Sequence, residues 1–302
     1  MLALITGAHG FVGSHLAEHL TKSGDEVIKT DVSHGGPNLL DQEGFVQLLM
    51  SVRPDAVYHL AGQADVKASW GKPLDTFRIN AEGTLNLLEA CKKAGTKRVL
   101  CVSSAEVYGV VEESDLPIKE SQPLSPANPY ATSKAAAELI CEQYNSESMN
   151  VMRVRSFNHF GPGQNENFVA SALAKRFLIA QAQEQDEILV GNMSSSRDFT
   201  DVRDVVRAYR AVVLHGEAGE VYNVCSGYDR KISELADAFL ACIGSDFSLV
   251  SDPDLHRPSD IPILKGDNSK LREQTEWHPL IEFEQSIADI VNATRNSLES
   301  DY

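Results

Sequence analysis

Positive charge is scarce in this 302-residue chain: 27 lysines and arginines face 43 aspartates and glutamates, a net charge of −16. A surface of that sign does not serve nucleic acid or an anionic membrane as a general partner. An anionic ligand would need local cations, and Lys175, Arg176, Arg197, Arg203 and Arg257 are the candidates. Long apolar runs are missing as well; none reaches the roughly 18 residues that read as a membrane span. No stretch reads as a signal peptide, so the expected compartment is the cytoplasm. The five cysteines, Cys91, Cys101, Cys141, Cys225 and Cys242, have no CxxC spacing and fall mostly in apolar runs. Buried free thiols are the reading, with neither disulfide nor metal site expected. Repeats and low-complexity segments are absent. The 42% hydrophobic content is ordinary for a soluble protein, with core enough for one large or two moderate domains.

What is present is a rhythm of strand and helix. Leu2-Ala3-Leu4-Ile5-Thr6 reads as a buried strand. It runs into Gly7-Ala8-His9-Gly10-Phe11-Val12-Gly13 and then a helical pattern that Gly24 ends. Glycines between strand and helix let backbone N–H groups approach a pyrophosphate at the helix N-terminus. The spacing is GxxGxxG rather than GxGxxG, so the generic fingerprint does not strictly match and an ordinary tight turn stays open. Val27-Ile28-Lys29-Thr30 then ends in Asp31, 18 positions after Gly13. That is near the distance at which a carboxylate meets adenosine ribose hydroxyls. It would repel a 2′-phosphate and no arginine follows it, so NAD(H) is favoured, with NADP(H) possible. Asp41 is a candidate adenine contact or a helix cap. Gly7, Gly10, Phe11, Val12, Gly13 and Asp31 form the first part of the expected cofactor site.

Two more strands follow the same pattern. Asp55-Ala56-Val57-Tyr58-His59-Leu60 leads into Ala61-Gly62, and Arg98-Val99-Leu100-Cys101-Val102 leads into Ser103-Ser104. Alternating strands and helices imply a Rossmann-type, doubly wound parallel sheet with ligands at the carboxyl ends of its strands. Gly7, Asp31, Leu60, Ala61 and Ser104 all fall at such ends. The expected division is a dinucleotide-binding domain over 1–160, with 201–226 returning to it. A smaller, mainly C-terminal substrate-binding part takes 161–200 and 227–302. Two irregular stretches, 157–167 and 249–267, are expected to be loops that build that part.

Tyr130 and Lys134 carry the chemistry. Pro126 and Pro129 precede them and Ala135, Ala136 and Ala137 follow, a helix beginning that sets Tyr130 in the first turn. Positions i and i+4 share a helix face. A neighbouring cation would lower the phenol pKa from about 10; bringing it near 7 takes about 4 kcal/mol. A tyrosine so tuned exchanges protons at neutral pH. The bland alternative is a packed aromatic and a solvated lysine. The same helix, with Leu139, Ile140 and Tyr144 widening its apolar surface, is expected to build a homodimer together with residues 85–94.

Gly7-x-x-Gly10-x-x-Gly13, Ser104-x-x-Val107-Tyr108-Gly109 and Tyr130-x-x-x-Lys134 together resemble the extended short-chain dehydrogenase/reductase family over nearly the whole chain. Phe157-Asn158-His159-Phe160-Gly161-Pro162-Gly163-Gln164 is similar to that family's nucleotide-sugar loop, and Ser196-Arg197-Asp198-Phe199 is typical of it. Val221-Tyr222-Asn223-Val224 and Arg257-Pro258-Ser259-Asp260 narrow the resemblance to the GDP-mannose 4,6-dehydratase and GDP-4-keto-6-deoxymannose reductase branch, most similar to the reductases. The resemblance implies an oxidoreductase that passes hydride between a nicotinamide and C4 of a GDP-linked sugar. Tyr130 would then be the proton donor, Lys134 would hold the nicotinamide ribose, and Ser104 would bond the reacting oxygen. Asn158 would meet the sugar or diphosphate, and Lys175 and Arg257 the diphosphate. Arg197 would lie near the nucleotide or else pair with Asp201 or Asp204. Asn80 would be structural. Glu106 stands where related dehydratases carry the base that removes the C5 proton, but Ser104 and Ala105 depart from their pattern. A 4,6-dehydratase, a 4-epimerase and, from another class, a non-catalytic NAD sensor stay open as alternatives.

Overall fold

Neighbouring residues of the apolar strands bury into opposite layers. Ala3 and Ile5 join Leu16, Leu20, Val205 and Tyr209 in one core, whereas Leu4 joins Phe45, Leu49, Leu87 and Cys91 in another. Tyr58, Leu100 and Met152 go to the first core, and Val57, Val99 and Val151 to the second. A strand period of two places apolar side chains on both faces, and a sheet buried on both faces results.

The computed structural model describes residues 1–252, 255 and 261–300, so Arg257 lies outside the described residues. The first lobe runs β1 (Leu2–Thr6), α1 (Phe11–Lys22), β2 (Glu26–Thr30), α2 (Gln42–Val52), β3 (Ala56–His59), α3 (Val66–Gly71), α4 (Pro73–Phe77), α5 (Gly83–Ala94), β4 (Arg98–Ser104), α6 (Pro129–Tyr144) and β5 (Asn150–Ser156). Next come β6 (Asn158–Phe160), α7 (Val169–Ala182), β7 (Glu187–Val190) and β8 (Ser196–Asp201), after which α8 (Val202–His215) and β9 (Val221–Val224) return to the first sheet. The chain closes with β10 (Asp229–Lys231), α9 (Ile232–Ile243), β11 (Ser248–Ser251), β12 (Ile263–Leu264), α10 (Ser269–Thr275) and α11 (Phe283–Ser300).

The main sheet has six parallel strands in the order β2-β1-β3-β4-β5-β9. Strand order reverses between β1 and β3, and the crevice at that reversal is where doubly wound sheets bind ligands. Register sets Thr6 beside His59 and Ser104 beside Ser156, so the loops after these strands open on one rim. The second lobe packs α7, α9 and α11 around Phe160, Phe177, Phe199, Phe239 and Ile290, over a sheet ordered β10-β8-β12.

Three details differ from the sequence reading. The stretch 157–167 is not all loop, because Asn158 to Phe160 pair in parallel with Phe199 to Asp201. The stretch 249–267 likewise holds the end of β11 and all of β12. α10 packs back on the first lobe, where Leu271 and Trp277 enter its core and Trp277 Nε1 donates to the Asp204 carbonyl at 3.0 Å. The apolar side chains here bury where helix and sheet meet in space, irrespective of position along the chain.

Candidate active site

The loop after β1 is shaped by what its glycines leave out. Gly7 has φ +69°, and a Cβ there would come within 2.8 Å of Ala61 N; a Cβ on Gly13 would fall 2.1 Å from the Gly7 carbonyl. β1, β3 and α1 therefore approach more closely than side chains allow. α1 begins at Gly10 without a side-chain cap and without an acid in its first turn. Its leading N–H groups face the crevice uncompensated, a setting that suits a diphosphate. These observations fit a dinucleotide, with Phe11 and Val12 in the first turn of α1 and Leu60 and Ala61 on the loop after β3 beside it.

Asp31 follows β2 directly. Its carboxylate accepts from Ser33 N at 3.0 Å, Ser33 Oγ at 2.6 Å and His9 N at 3.4 Å. Burial works to raise its pKa, but the Ser33 and His9 hydrogen bonds outweigh that and hold it below the ordinary value. The His9 and His34 rings stack beside it at 3.6 Å. Asp41 is the N-cap of α2, accepting from Gly44 N at 2.9 Å, which is the capping alternative.

Ser104 ends β4 and caps a one-turn 3₁₀ helix, accepting from Glu106 N at 3.2 Å. α6 starts with Asn128 as N-cap, its Oδ1 accepting from Ala131 N at 2.8 Å, and Pro129 in the first turn. α6 packs along β4, and the Tyr130 phenol lies close enough to Ser104 for that side chain to act on its pKa. Asn128 also donates Nδ2 to Glu106 Oε2 at 3.1 Å, tying that carboxylate to the helix cap. The Lys134 ammonium lies on the same side and donates to the Val102 carbonyl at 2.9 Å. Ser104, Glu106, Tyr130 and Lys134 are thus brought together.

Their electrostatics correct one expectation. Lys134 does not lower the phenol; burial pushes Tyr130 up to about 12, the nearby Ser104 side chain offsets that only partly, and the Glu106 charge adds to it. Burial also pushes Lys134 down to about 8. The reason is positional: the ammonium is directed to a strand carbonyl, and the phenol sits in a low-dielectric pocket whose charged neighbour is an anion.

The second lobe supplies the far wall. Asn158 opens β6 two residues past Ser156, the register partner of Ser104. The wall is tied to α1, since His15 Nε2 lies 2.9 Å from the Pro162 carbonyl and the Phe11 and His159 rings stack at 6.1 Å. Lys175 stands on α7 in an ion pair with Glu166. Arg197 is buried on β8, donating to the Ser196 and Ile261 carbonyls at 2.8 and 2.6 Å. Asp201 and Asp204 pair instead with Arg203 and Arg207. Asn80 holds Gln63 on both its backbone groups and reaches Ser133 Oγ at 2.9 Å. Asn128 was missed by sequence reasoning, although an asparagine directly before Pro-Tyr carries the N-cap signal. Gln63, His59 and the His9–His34 stack carried no such signal.

A family model described as GDP-mannose 4,6 dehydratase matches residues 4–290. The chain is 40% identical to a GDP-6-deoxy-D-mannose reductase of Pseudomonas aeruginosa, over 95% of each chain. It is 31% identical to a UDP-glucose 4-epimerase of Mycolicibacterium smegmatis over 98% of this chain and 99% of that one. Among solved structures, RMD from Pseudomonas aeruginosa complexed with NADPH superposes with a TM-score of 0.90 at 38% identity, over 98% of this chain and 100% of that one. The Thermus thermophilus UDP-glucose 4-epimerase in complex with NAD gives 0.87 at 30% identity, with the same coverage.

Proposed function

The chain belongs to the GDP-mannose 4,6 dehydratase family of extended short-chain dehydrogenases/reductases, and from that premise we propose that it reduces a GDP-linked 4-keto-6-deoxy sugar to the 4-hydroxy sugar. A nicotinamide cofactor would be held by the glycine loop of Gly7, Gly10 and Gly13 and by Asp31, and when bound it would supply the hydride for C4. The observation that carries this reading is the grouping of Ser104, Tyr130 and Lys134 at the crevice in a chain 40% identical to a GDP-6-deoxy-D-mannose reductase. Burial pushes the Tyr130 phenol up, so it holds its proton at neutral pH. Ser104 orients the ketone oxygen, and Tyr130 delivers its proton to the alkoxide as charge builds there. Lys134 keeps a positive charge near that oxygen and is placed to hold the nicotinamide ribose. Asn158 is the sugar or diphosphate contact, with Lys175, Arg197 and Arg257 serving the diphosphate and nucleotide.

Elimination from GDP-mannose is the second reading, because Glu106 faces the same site. One oxygen of Glu106 is engaged by Asn128, and Ala105 offers no acid to protonate a departing C6 hydroxyl. The test follows both reactions with equal enzyme. Consumption of GDP-4-keto-6-deoxymannose with NADH or NADPH is expected, without accumulation of that ketone from GDP-mannose alone. Ketone formation at a rate comparable to its reduction would overturn the assignment.

Asp31 favours NADH over NADPH in this reading. The ratio of kcat/KM for the two cofactors tests it, and Asp31→Ala should narrow the gap. The proposed assembly is a cytoplasmic homodimer through α5 and α6, where Leu139 stands 64% exposed; light scattering at the monomer mass of 33.0 kDa would refute it. Among the described residues no helix is long and apolar enough to cross a membrane.

A further inference from the structure

His59 ends β3 on the floor of the crevice, 4% exposed, and neither the hydride nor the proton step uses it. Its ring lies between two threonines of different elements. Nδ1 is 2.8 Å from Thr6 Oγ1 on β1, and Nε2 is 3.1 Å from Thr84 Oγ1 on α5. What those hydroxyls do elsewhere assigns the hydrogens. Thr84 donates its single hydroxyl hydrogen to the Asn80 carbonyl at 2.6 Å, so toward His59 it accepts, and Nε2 carries the hydrogen. Thr6 Oγ1 accepts from Ala61 N at 3.2 Å and donates to the bare Nδ1. The imidazole is neutral and held in one tautomer. Burial first, and the Lys134 charge second, push its pKa down to about 3. Lys134 and Glu138 from α6 and Cys101 from β4 border the same cavity beside the ring.

The chain of hydrogen bonds continues past Thr84. Residues 78–82 form a π-turn, a local widening that recurs at functional sites. In this turn Asn80 accepts from Gln63 N at 2.8 Å and donates to the Gln63 carbonyl at 3.0 Å and to Ser133 Oγ at 2.9 Å. Ser133 then donates to the Tyr130 carbonyl at 2.7 Å. Gly62 completes the join, since a Cβ there would lie 2.7 Å from Asn80 Oδ1. Every hydroxyl in this path has one donor role and one acceptor role filled, so no link can reverse without stranding another.

We propose that His59, as the neutral Nε2–H tautomer, is a positioning residue that locks the backbone of residues 61–63 to the first turn of α6 and so sets the spacing between the nicotinamide and the Tyr130 phenol. The proposal rests on Tyr130 as the proton-transfer group, and two experiments separate its failure from that of the reductase reading. The first needs no reaction. In the ¹⁵N-histidine spectrum of the intact protein, His59 keeps a protonated Nε2 and an unprotonated Nδ1 from about pH 5.5 to about pH 9, where an ordinary imidazole titrates. A titrating ring or the Nδ1–H tautomer overturns the proposal.

The second uses whichever nucleotide sugar the enzyme turns over. Reacting groups displaced by about 1 Å cost on the order of 10²-fold. His59→Leu should therefore lower kcat by about ten- to a hundredfold, with the sugar KM and the NADH dissociation constant nearly unchanged. His59→Gln, with one acceptor and one donor, should recover a large part of the loss. The kcat losses of His59→Leu and Asn80→Ala should not multiply when combined, because both cut one chain. Full kcat in folded His59→Leu, equal losses in the Leu and Gln variants, or multiplicative losses each overturn it.

Discussion

α6 and α7 each carry a lysine that sequence reasoning directs at a ligand, and the two lysines live in opposite surroundings. α6 lies against β4 and β5, so Lys134 is half-buried and given a strand carbonyl. Glu138, one turn further, is sealed against Arg155, the two side chains 4% and 6% exposed. α7 turns Leu173, Ala174, Phe177 and Leu178 into the second lobe's core, leaving Lys175 on its outer side to pair with Glu166 in the open. A charge sealed by the fold has its pKa and direction set in advance. A charge on an outer face keeps both negotiable and can leave its partner for a diphosphate. In the proposed reading the contrast separates chemistry from recognition: the first lobe pre-orders the reacting groups, and Lys175 on the second is a candidate diphosphate contact.

The largest break should come on the α6 side. Tyr130→Phe keeps the packed ring and removes the transferable proton, so turnover should fall by about 10²–10⁴-fold, with folding and cofactor affinity near those of the parent. A variant that keeps more than half of the activity would remove Tyr130 from the mechanism. Arg155→Met tests the sealed pair. It strands the Glu138 carboxylate and costs about 3–5 kcal/mol of stability, read from denaturant midpoints. A loss below about 1 kcal/mol, the range of exposed pairs, would mean that burial at α6 does not govern its charges.

The pH response sharpens the comparison further. Lys134 keeps its proton below about 8 and loses it above, so kcat/KM should fall as pH rises through that value. Lys134→Arg, charged at every accessible pH, should be slower yet lack that limb. Stability moves the opposite way. An unfolded lysine titrates near 10.4, so between about 8 and 10.4 the unfolded chain binds a proton the native one does not, and stability rises with pH. Lys134→Met should abolish that rise in thermal melts. On the other helix the effects should be smallest. Lys175→Ala should shift stability by no more than about 1 kcal/mol. The sugar-nucleotide KM should rise several-fold at constant kcat. An unchanged KM would leave Lys175 as a surface ion pair and nothing more.

Much of this was readable from the chain because it depends on local spacing. The strand–glycine–helix rhythm, the acid after β2, Ser104 at a strand end and the i, i+4 pair on α6 follow from backbone periods of 2 and 3.6 residues, whatever the protein later packs against. Residue type alone also explains why Asn128, next to Pro129, caps α6, and why Cys91, Cys101, Cys141 and Cys225 are buried.

Only the tertiary structure decided the rest. Lys134 and Tyr130 share a face as expected, yet the ammonium is directed to a carbonyl 32 residues away, and burial raises the phenol with the Glu106 charge adding to it. Arg197 was left between a nucleotide contact and a pair with Asp201 or Asp204; α8 gives those acids to Arg203 and Arg207. α10 joins the first lobe because Trp277 fits beside α8, which no local pattern signals. His59 reads in sequence as one polar residue at the end of an apolar strand. Its tautomer depends on threonines 53 and 25 positions away. Periodicity is a property of consecutive residues. A pKa, a tautomer or an ion pair is a property of whatever the fold brings within a few ångströms, and at those distances in a dry interior the fold decides.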